Sequence, residues 1–258
     1  MRTQSIRPLR LTLPSLALLA FATPAGAWDT CEHRADRRAS LDTAGVARVV
    51  INARAGDLEV KPASGTTLVA AGPACASSAK LLEQTDIAAR REGDTLRVDV
   101  LVPNNMVGIG VFYATLDLTV NVPASLPIEI TDSSGDVQAA DVRVVKLTDS
   151  SGDVVLRQPR ADVEIWDSSG DLRIENAAGQ VQIRDSSGDI VIVGAKEVVI
   201  PSDSSGDIAI QRVAGSVRIE QDSSGDIRVT DIGRDFHLLS DSSGEVKVSG
   251  VKGQVHLP

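Results

Sequence analysis

The chain is poor in aromatic residues, with two Trp, one Tyr and three Phe in 258 positions. That scarcity argues against a stacking platform for sugars or bases. It has no surplus of positive charge either, since 26 Lys and Arg stand against 35 Asp and Glu. Nucleic acid, whose phosphates need basic patches, is therefore not an expected partner, and anionic lipid finds no attraction. Two cysteines and three histidines offer too few ligands for a zinc centre. Past the first 30 residues no apolar run approaches the ~20 residues that a bilayer span requires, so no transmembrane segment is expected.

The one long apolar run stands at the beginning. Arg2, Arg7 and Arg10 precede Leu11 to Ala22, and Ala25-Gly26-Ala27 follows as a small-residue cleavage signal. This pattern is that of an export signal peptide over residues 1–27, with a protein starting at Trp28 that is periplasmic or secreted. Cleavage near Ala27 leaves 23 Lys and Arg against the same 35 acids. That balance favours cations, cationic peptides or basic proteins as partners. In an exported chain Cys31 and Cys75 are expected to form a disulfide, worth roughly 3–4 kcal/mol through restriction of the unfolded chain. With no C-x-x-C pair, a redox-active role is not expected.

What the sequence has in abundance is one pentapeptide. Asp-Ser-Ser-Gly-Asp begins at Asp132, Asp149, Asp167, Asp185, Asp203 and Asp222, and a seventh copy at Asp241 ends in Glu245. The steps between copies are 17, 18, 18, 18, 19 and 19 residues. A near-constant step of this size is the signature of one structural unit stacked on itself. After the second acid of each copy (Asp136, Asp153, Asp171, Asp189, Asp207, Asp226, Glu245) apolar residues alternate with mostly polar ones, as in Leu172-Arg173-Ile174 and Ile227-Arg228-Val229. This is a strand with one buried face. A second strand follows in each unit, with inward pairs Val145 and Leu147, Val163 and Ile165, Val181 and Ile183, Val198 and Ile200, Val217 and Ile219, Phe236 and Leu238, and Val255 and Leu257. Between the two lies one small or apolar residue per unit: Val142, Pro159, Ala177, Ala195, Val213, Ile232 and Val251.

One such unit cannot bury its own apolar face. Parallel stacking, at about 4.8 Å per coil, solves this. The expected fold is all-β: a parallel β-solenoid, or β-helix, of seven coils over 132–258 with about 18 residues per coil. A helical reading fails on the β-branched content and on a Gly in every unit. Residues 28–131 read as an irregular N-terminal β cap continuous with the solenoid. Strands are expected at Arg48 to Ala53, Asp57 to Lys61, Thr67 to Ala71, Thr95 to Leu101 and Ala114 to Val122, and Ala55-Gly56-Asp57-Leu58 is a worn copy of the turn.

The Ser-Gly-Asp-(Ile/Val) coils, the Val122-Pro123 approach to the first coil and Gly93-Asp94-Thr95-Leu96 resemble a widespread bacterial family described as adhesin-like, a domain of unknown function built from β-strand repeats. The resemblance covers roughly residues 45 to 258. It implies a β-solenoid of envelope-associated proteins, some linked to responses to envelope stress or antimicrobial peptides, and it supplies no catalytic residues.

Stacking sets like charges in register. Unit charges about 4.8 Å apart repel by roughly 0.9 kcal/mol in bulk water and by more beside a low-dielectric wall. Two ladders, of Asp132, Asp149, Asp167, Asp185, Asp203, Asp222 and Asp241 and of the seven second acids, are expected along one outer edge, as a face for cations or a partner. One reading has each leading Asp cap its own turn. Another sets calcium between coils on Asp and Ser oxygens, although no other cofactor is called for and the motif is neither an EF-hand nor the calcium-binding nonapeptide. Catalysis needs a singular constellation with separated pKa values, and seven identical acid pairs do not supply one. The expectation is thus a non-catalytic exported envelope module that binds or supports, with a calcium-stabilised adhesin module and a polysaccharide-active enzyme as alternatives. His33, His237 and His256 are expected to be exposed, Trp166 to point outward, the apolar segment Met106 to Tyr113 to be buried, and the last coil to offer an edge for end-to-end self-association.

Overall fold

Alternating aliphatic and polar residues pair as parallel strands wherever the repeat predicts them. The structure is a computed structural model describing residues 31–103 and 112–258. The expected export signal over residues 1–27, Trp28 and Met106 to Val111 of the apolar segment lie outside the described residues.

The cap contributes β1 (His33–Asp42), β2 (Arg48–Asn52), β3 (Leu58–Ala63), β4 (Thr67–Ala76), β5 (Asp86–Glu92), β6 (Thr95–Leu101), β7 (Ala114–Leu116), β8 (Leu118–Pro123) and β9 (Pro127–Thr131). A short helix, α1 (Ala79–Glu83), starts at an N-cap Ser78 whose hydroxyl accepts the Leu81 amide. The first strands of the seven coils are β10 (Val137–Ala140), β12 (Val154–Arg157), β14 (Leu172–Glu175), β16 (Ile190–Ala195), β18 (Ile208–Val213), β20 (Ile227–Ile232) and β22 (Val246–Val251). The second strands are β11 (Arg143–Thr148), β13 (Val163–Trp166), β15 (Gln180–Arg184), β17 (Glu197–Ser202), β19 (Val217–Ile219), β21 (Phe236–Leu238) and β23 (Val255–His256).

Two sheets result. One runs β1-β4-β8-β3-β10-β12-β14-β16-β18-β20-β22, with β7 beside β4, and the other β23-β21-β19-β17-β15-β13-β11-β9-β2-β6-β5. Register carries each repeat onto the next: Leu172 pairs with Ile190 and Ile174 with Ile192, while Val163 pairs with Val181 and Ile165 with Ile183. The chain is a parallel β-solenoid, and the cap strands join the same two sheets, since β3 pairs with β10 and β9 with β2 and β11.

The inward residues form one core along the stack, from Val49 and Ile51 through Ile174 and Ile192 to Phe236. Full burial of each such side chain stabilises by roughly 1.5–3 kcal/mol. The linker residues Val142, Pro159, Ala177, Ala195, Val213 and Ile232 are also buried.

Three expectations need correction. Val145 is not the inward residue of β11: a bulge between Val144 and Lys146 adds a residue, so Val144 is buried in its place. In the last coil Val246, Val248 and Val251 are only half-buried, and Val255 and Leu257 are exposed, because no further strand covers β22 and β23 among the described residues. His33 is half-buried, because the charged segment around it is strand β1, paired antiparallel over ten residues with β4. There Arg37 donates to the Thr85 and Leu82 carbonyls at 2.7 and 2.8 Å, tying β1 to the end of α1.

Candidate functional site at the turn edge

Each Asp-Ser-Ser-Gly-Asp turn is built so that only glycine fits at its fourth position. Those glycines have φ between 117° and 140°. A Cβ on Gly188 would lie 1.9 Å from the Gly170 carbonyl oxygen of the preceding coil. The worn copy belongs to the same column, since Gly56 has φ 109° and sits directly under Gly135.

The side chains of the turn staple coil to coil. The second serine hydroxyl donates to the first serine's carbonyl in the preceding coil, Ser151 to Ser133 at 3.1 Å and Ser187 to Ser168 at 3.0 Å. The second acid accepts the amide of its counterpart in the next coil: Asp153 to Asp136 at 3.1 Å, Asp171 to Asp153 at 3.0 Å, and so on to Glu245 on Asp226 at 3.0 Å. The file reaches back into the cap, because the Asp136 amide donates to Asp57 at 3.0 Å and the Asp57 amide to Asp117 at 3.1 Å. Asp117, Asp57, Asp136, Asp153, Asp171, Asp189, Asp207, Asp226 and Glu245 thus form one exposed carboxylate ladder. In each hydrogen bond one oxygen is engaged. Among the described residues none from Asp136 to Asp226 pairs with Lys or Arg, while Glu245 pairs with Lys247 at 2.6 Å. Beside the cap the ladder borders a groove of about 300 Å³ lined by Asp57, Glu59, Asp117, Thr119, Asp136 and Gln138.

The leading acids are not on this edge, which corrects the expected pair of outer ladders. Asp132, Asp149, Asp167, Asp185, Asp203 and Asp222 are buried, at 0–5% exposure. Only Asp241, in the last coil, is partly open. The cause is strand phase: Ile165 points in, Trp166 out and Asp167 in. The turn-capping reading is met in full at Asp185, which accepts the Ser186 and Ser187 amides at 2.6 and 3.3 Å. Burial pushes Asp132, Asp167 and Asp203 up to about 7, and raises Asp149, Asp185 and Asp222, against the downward pull of the serine amides. Among the described residues no three His, Cys, Asp or Glu side chains are grouped to hold a metal ion.

Sequence reasoning missed Asp117. It has no Ser-Gly context, and its only signal is an acid between Leu116 and Leu118 in an alternating run. Trp166 is outward as expected, with Lys146 and Arg184 over its ring at 5.6 and 5.2 Å and its indole N–H donated to Glu164 at 2.8 Å. His256 is exposed as expected, whereas His237 is half-buried, since its ring stacks on that of His256 in the next coil with ring centres 4.6 Å apart. Phe112, at the end of the apolar segment, is 37% exposed rather than buried. Cys31 and Cys75 form a disulfide. No helix among the described residues is long and apolar enough to cross a membrane.

These features define a repeat scaffold, a parallel β-solenoid whose turns are cross-linked by their own side chains. The chain belongs to the Toastrack DUF4097 family, whose model matches residues 39–213. A solved structure from Parabacteroides distasonis, provisionally named a lipid binding protein, is 16% identical, with TM-score 0.52 over 88% of this chain and 98% of that one. A Clostridium sporogenes protein provisionally named for cell adhesion is 12% identical, with TM-score 0.40 over 87% and 98% of the two chains. A Bacteroides fragilis protein provisionally named an adhesin is 15% identical, with TM-score 0.41 over 87% and 97%. A search of curated proteins finds no match.

Proposed function

We propose that this protein is an exported, non-catalytic module of the cell envelope, adhesin-like in role, whose contact face is the exposed carboxylate ladder. The observation that carries this reading is the row of acids from Asp136 to Asp226, without an ion pair among the described residues and fixed in register by the amides of the next coils. A rigid line of negative charge at about 4.8 Å intervals attracts a cationic peptide or the basic face of a protein. The groove at Asp57, Asp117 and Asp136 gives the line a place where a cationic side chain can be partly enclosed.

The test is binding of a lysine-rich peptide to the folded protein by titration calorimetry. Affinity should fall steeply with salt and fall at least tenfold in the Asp153→Asn, Asp171→Asn, Asp189→Asn triple variant. Binding untouched by that variant would remove the ladder as the contact face. Turnover of an envelope polysaccharide, abolished by changing one acid, would replace this reading with the enzyme.

A further inference from the structure

The six leading aspartates are a second acidic column, separate from the exposed ladder. Their backbones are locked in register: the Asp149 amide donates to the Trp166 carbonyl, Asp167 to Arg184 and Asp185 to Ser202, at 2.9, 2.9 and 3.1 Å. The side chains therefore stand one coil apart, about 4.8 Å, inside the wall of the solenoid. Eleven of their carboxyl oxygens are buried without a hydrogen-bond partner, both oxygens in every member except Asp185, where one is free. The serine amides act on the others from outside hydrogen-bond geometry. The charged groups acting on the column are all carboxylates: its own neighbours, Asp57 on Asp132, Asp136 on Asp149, Asp171 on Asp185 and Asp241 on Asp222. Among the described residues no Lys or Arg acts on them.

A file of six buried anions in such surroundings is not tenable. Protonation solves two problems together. It removes the charge, and it converts an unpartnered acceptor into an O–H donor. With the backbones about 4.8 Å apart, the O–H of one coil is within reach of a free oxygen of the adjoining coil once the carboxyl groups turn toward each other. We propose that the column holds protons: at neutral pH every second member is the neutral acid and donates to the carboxylate in the next coil, so the stack tightens in acid and loosens as pH rises.

The direction follows from linkage. The folded-state values lie above the ordinary 3.8, reaching about 7 at Asp132, Asp167 and Asp203. The native chain thus carries more protons than the unfolded one between about pH 4 and 7. The stabilisation is complete below that window and is lost as pH rises through about 7.

The experiment is urea unfolding of the full chain, disulfide intact, from pH 5 to 9, with protons released on unfolding counted at about pH 6. The wild type should release about three protons, and its midpoint should fall from pH 5 to about 7 and level off above. The Asp167→Asn, Asp203→Asn variant should release about two fewer, while Asp189→Asn on the exposed ladder, a residue that does not act on the column, should leave the count unchanged. Should the double variant fail to fold, infrared difference spectra of the wild type serve instead. They should show a protonated-carboxyl carbonyl band at neutral pH that disappears in base. No proton release, no such band, or a midpoint that climbs with pH would overturn the proposal. So would a calcium-induced rise in the midpoint at fixed pH without proton release.

Discussion

The Asp171 amide donates to the Asp153 carboxylate of the coil before it at 3.0 Å. An exposed acid thus does two opposed things: it staples two coils and it repels its neighbours in the ladder. The two can be separated by substitution. Asp153→Ala removes the acceptor and should cost about 1 kcal/mol. Asp153→Asn keeps an acceptor and removes the charge, so it should cost less than half of that or stabilise. Urea midpoints of the two variants check the order, and an Asn variant weaker than the Ala variant would refute the staple.

Salt should stabilise this protein through the same ladder. The screening length falls from about 10 Å at 0.1 M to about 3 Å at 1 M salt. The coil spacing of about 4.8 Å lies between those values, so neighbouring acids are screened from one another only at the upper end. Thermal midpoints should rise across that range, and by less in the Asp153→Asn, Asp189→Asn, Asp226→Asn variant. Equal rises in the two proteins would show that ladder repulsion contributes nothing measurable.

The repeat made the solenoid legible because a fixed step and a two-residue period together determine register: Leu172 on Ile190 follows from their positions after the turn. The burial of Asp167 was legible too, two positions after Ile165, but an acid in a Ser-Gly turn reads as surface chemistry and masks the phase. The Val144–Lys146 bulge was not legible, because Val144 and Val145 are chemically equivalent and only pairing with β9 decides between them. Asp117 joins the ladder through contacts 60 residues distant in sequence, at Asp57, and no local pattern announces such a partner. Strand β1 was hidden for another reason: its outward face is charged, and its inward His33, Ala35 and Arg37 are not the aliphatics that mark a strand.

Glycine in the turn column should be irreplaceable, whereas Gly93, in an open turn of the cap, should not be. Gly188→Ala puts a Cβ 1.9 Å from the Gly170 carbonyl oxygen, at φ 131°. Backbone strain and the clash together should cost about 3 kcal/mol or more. Gly93→Ala, with φ 65° and nothing within 4 Å of the added carbon, should cost about 1 kcal/mol. Chemical denaturation of the two variants measures the contrast, and equal losses would mean that inter-coil contact at the turn is not what requires glycine.

The disulfide should matter locally. Cys31 and Cys75 are 44 residues apart, a loop whose closure is worth up to about 4 kcal/mol. The bridge holds the start of β1 beside β4, where Arg34 lies opposite Cys75. The coils do not depend on it, because their strands pair with each other and with β3 and β9. Reduction should therefore speed hydrogen exchange at the amides of Arg34 to Asp42 while leaving Ile174 and Ile192 as protected as before. Faster exchange in both places would mean that cap and coils unfold as one unit, and that the parallel stack cannot stand once β1 is released.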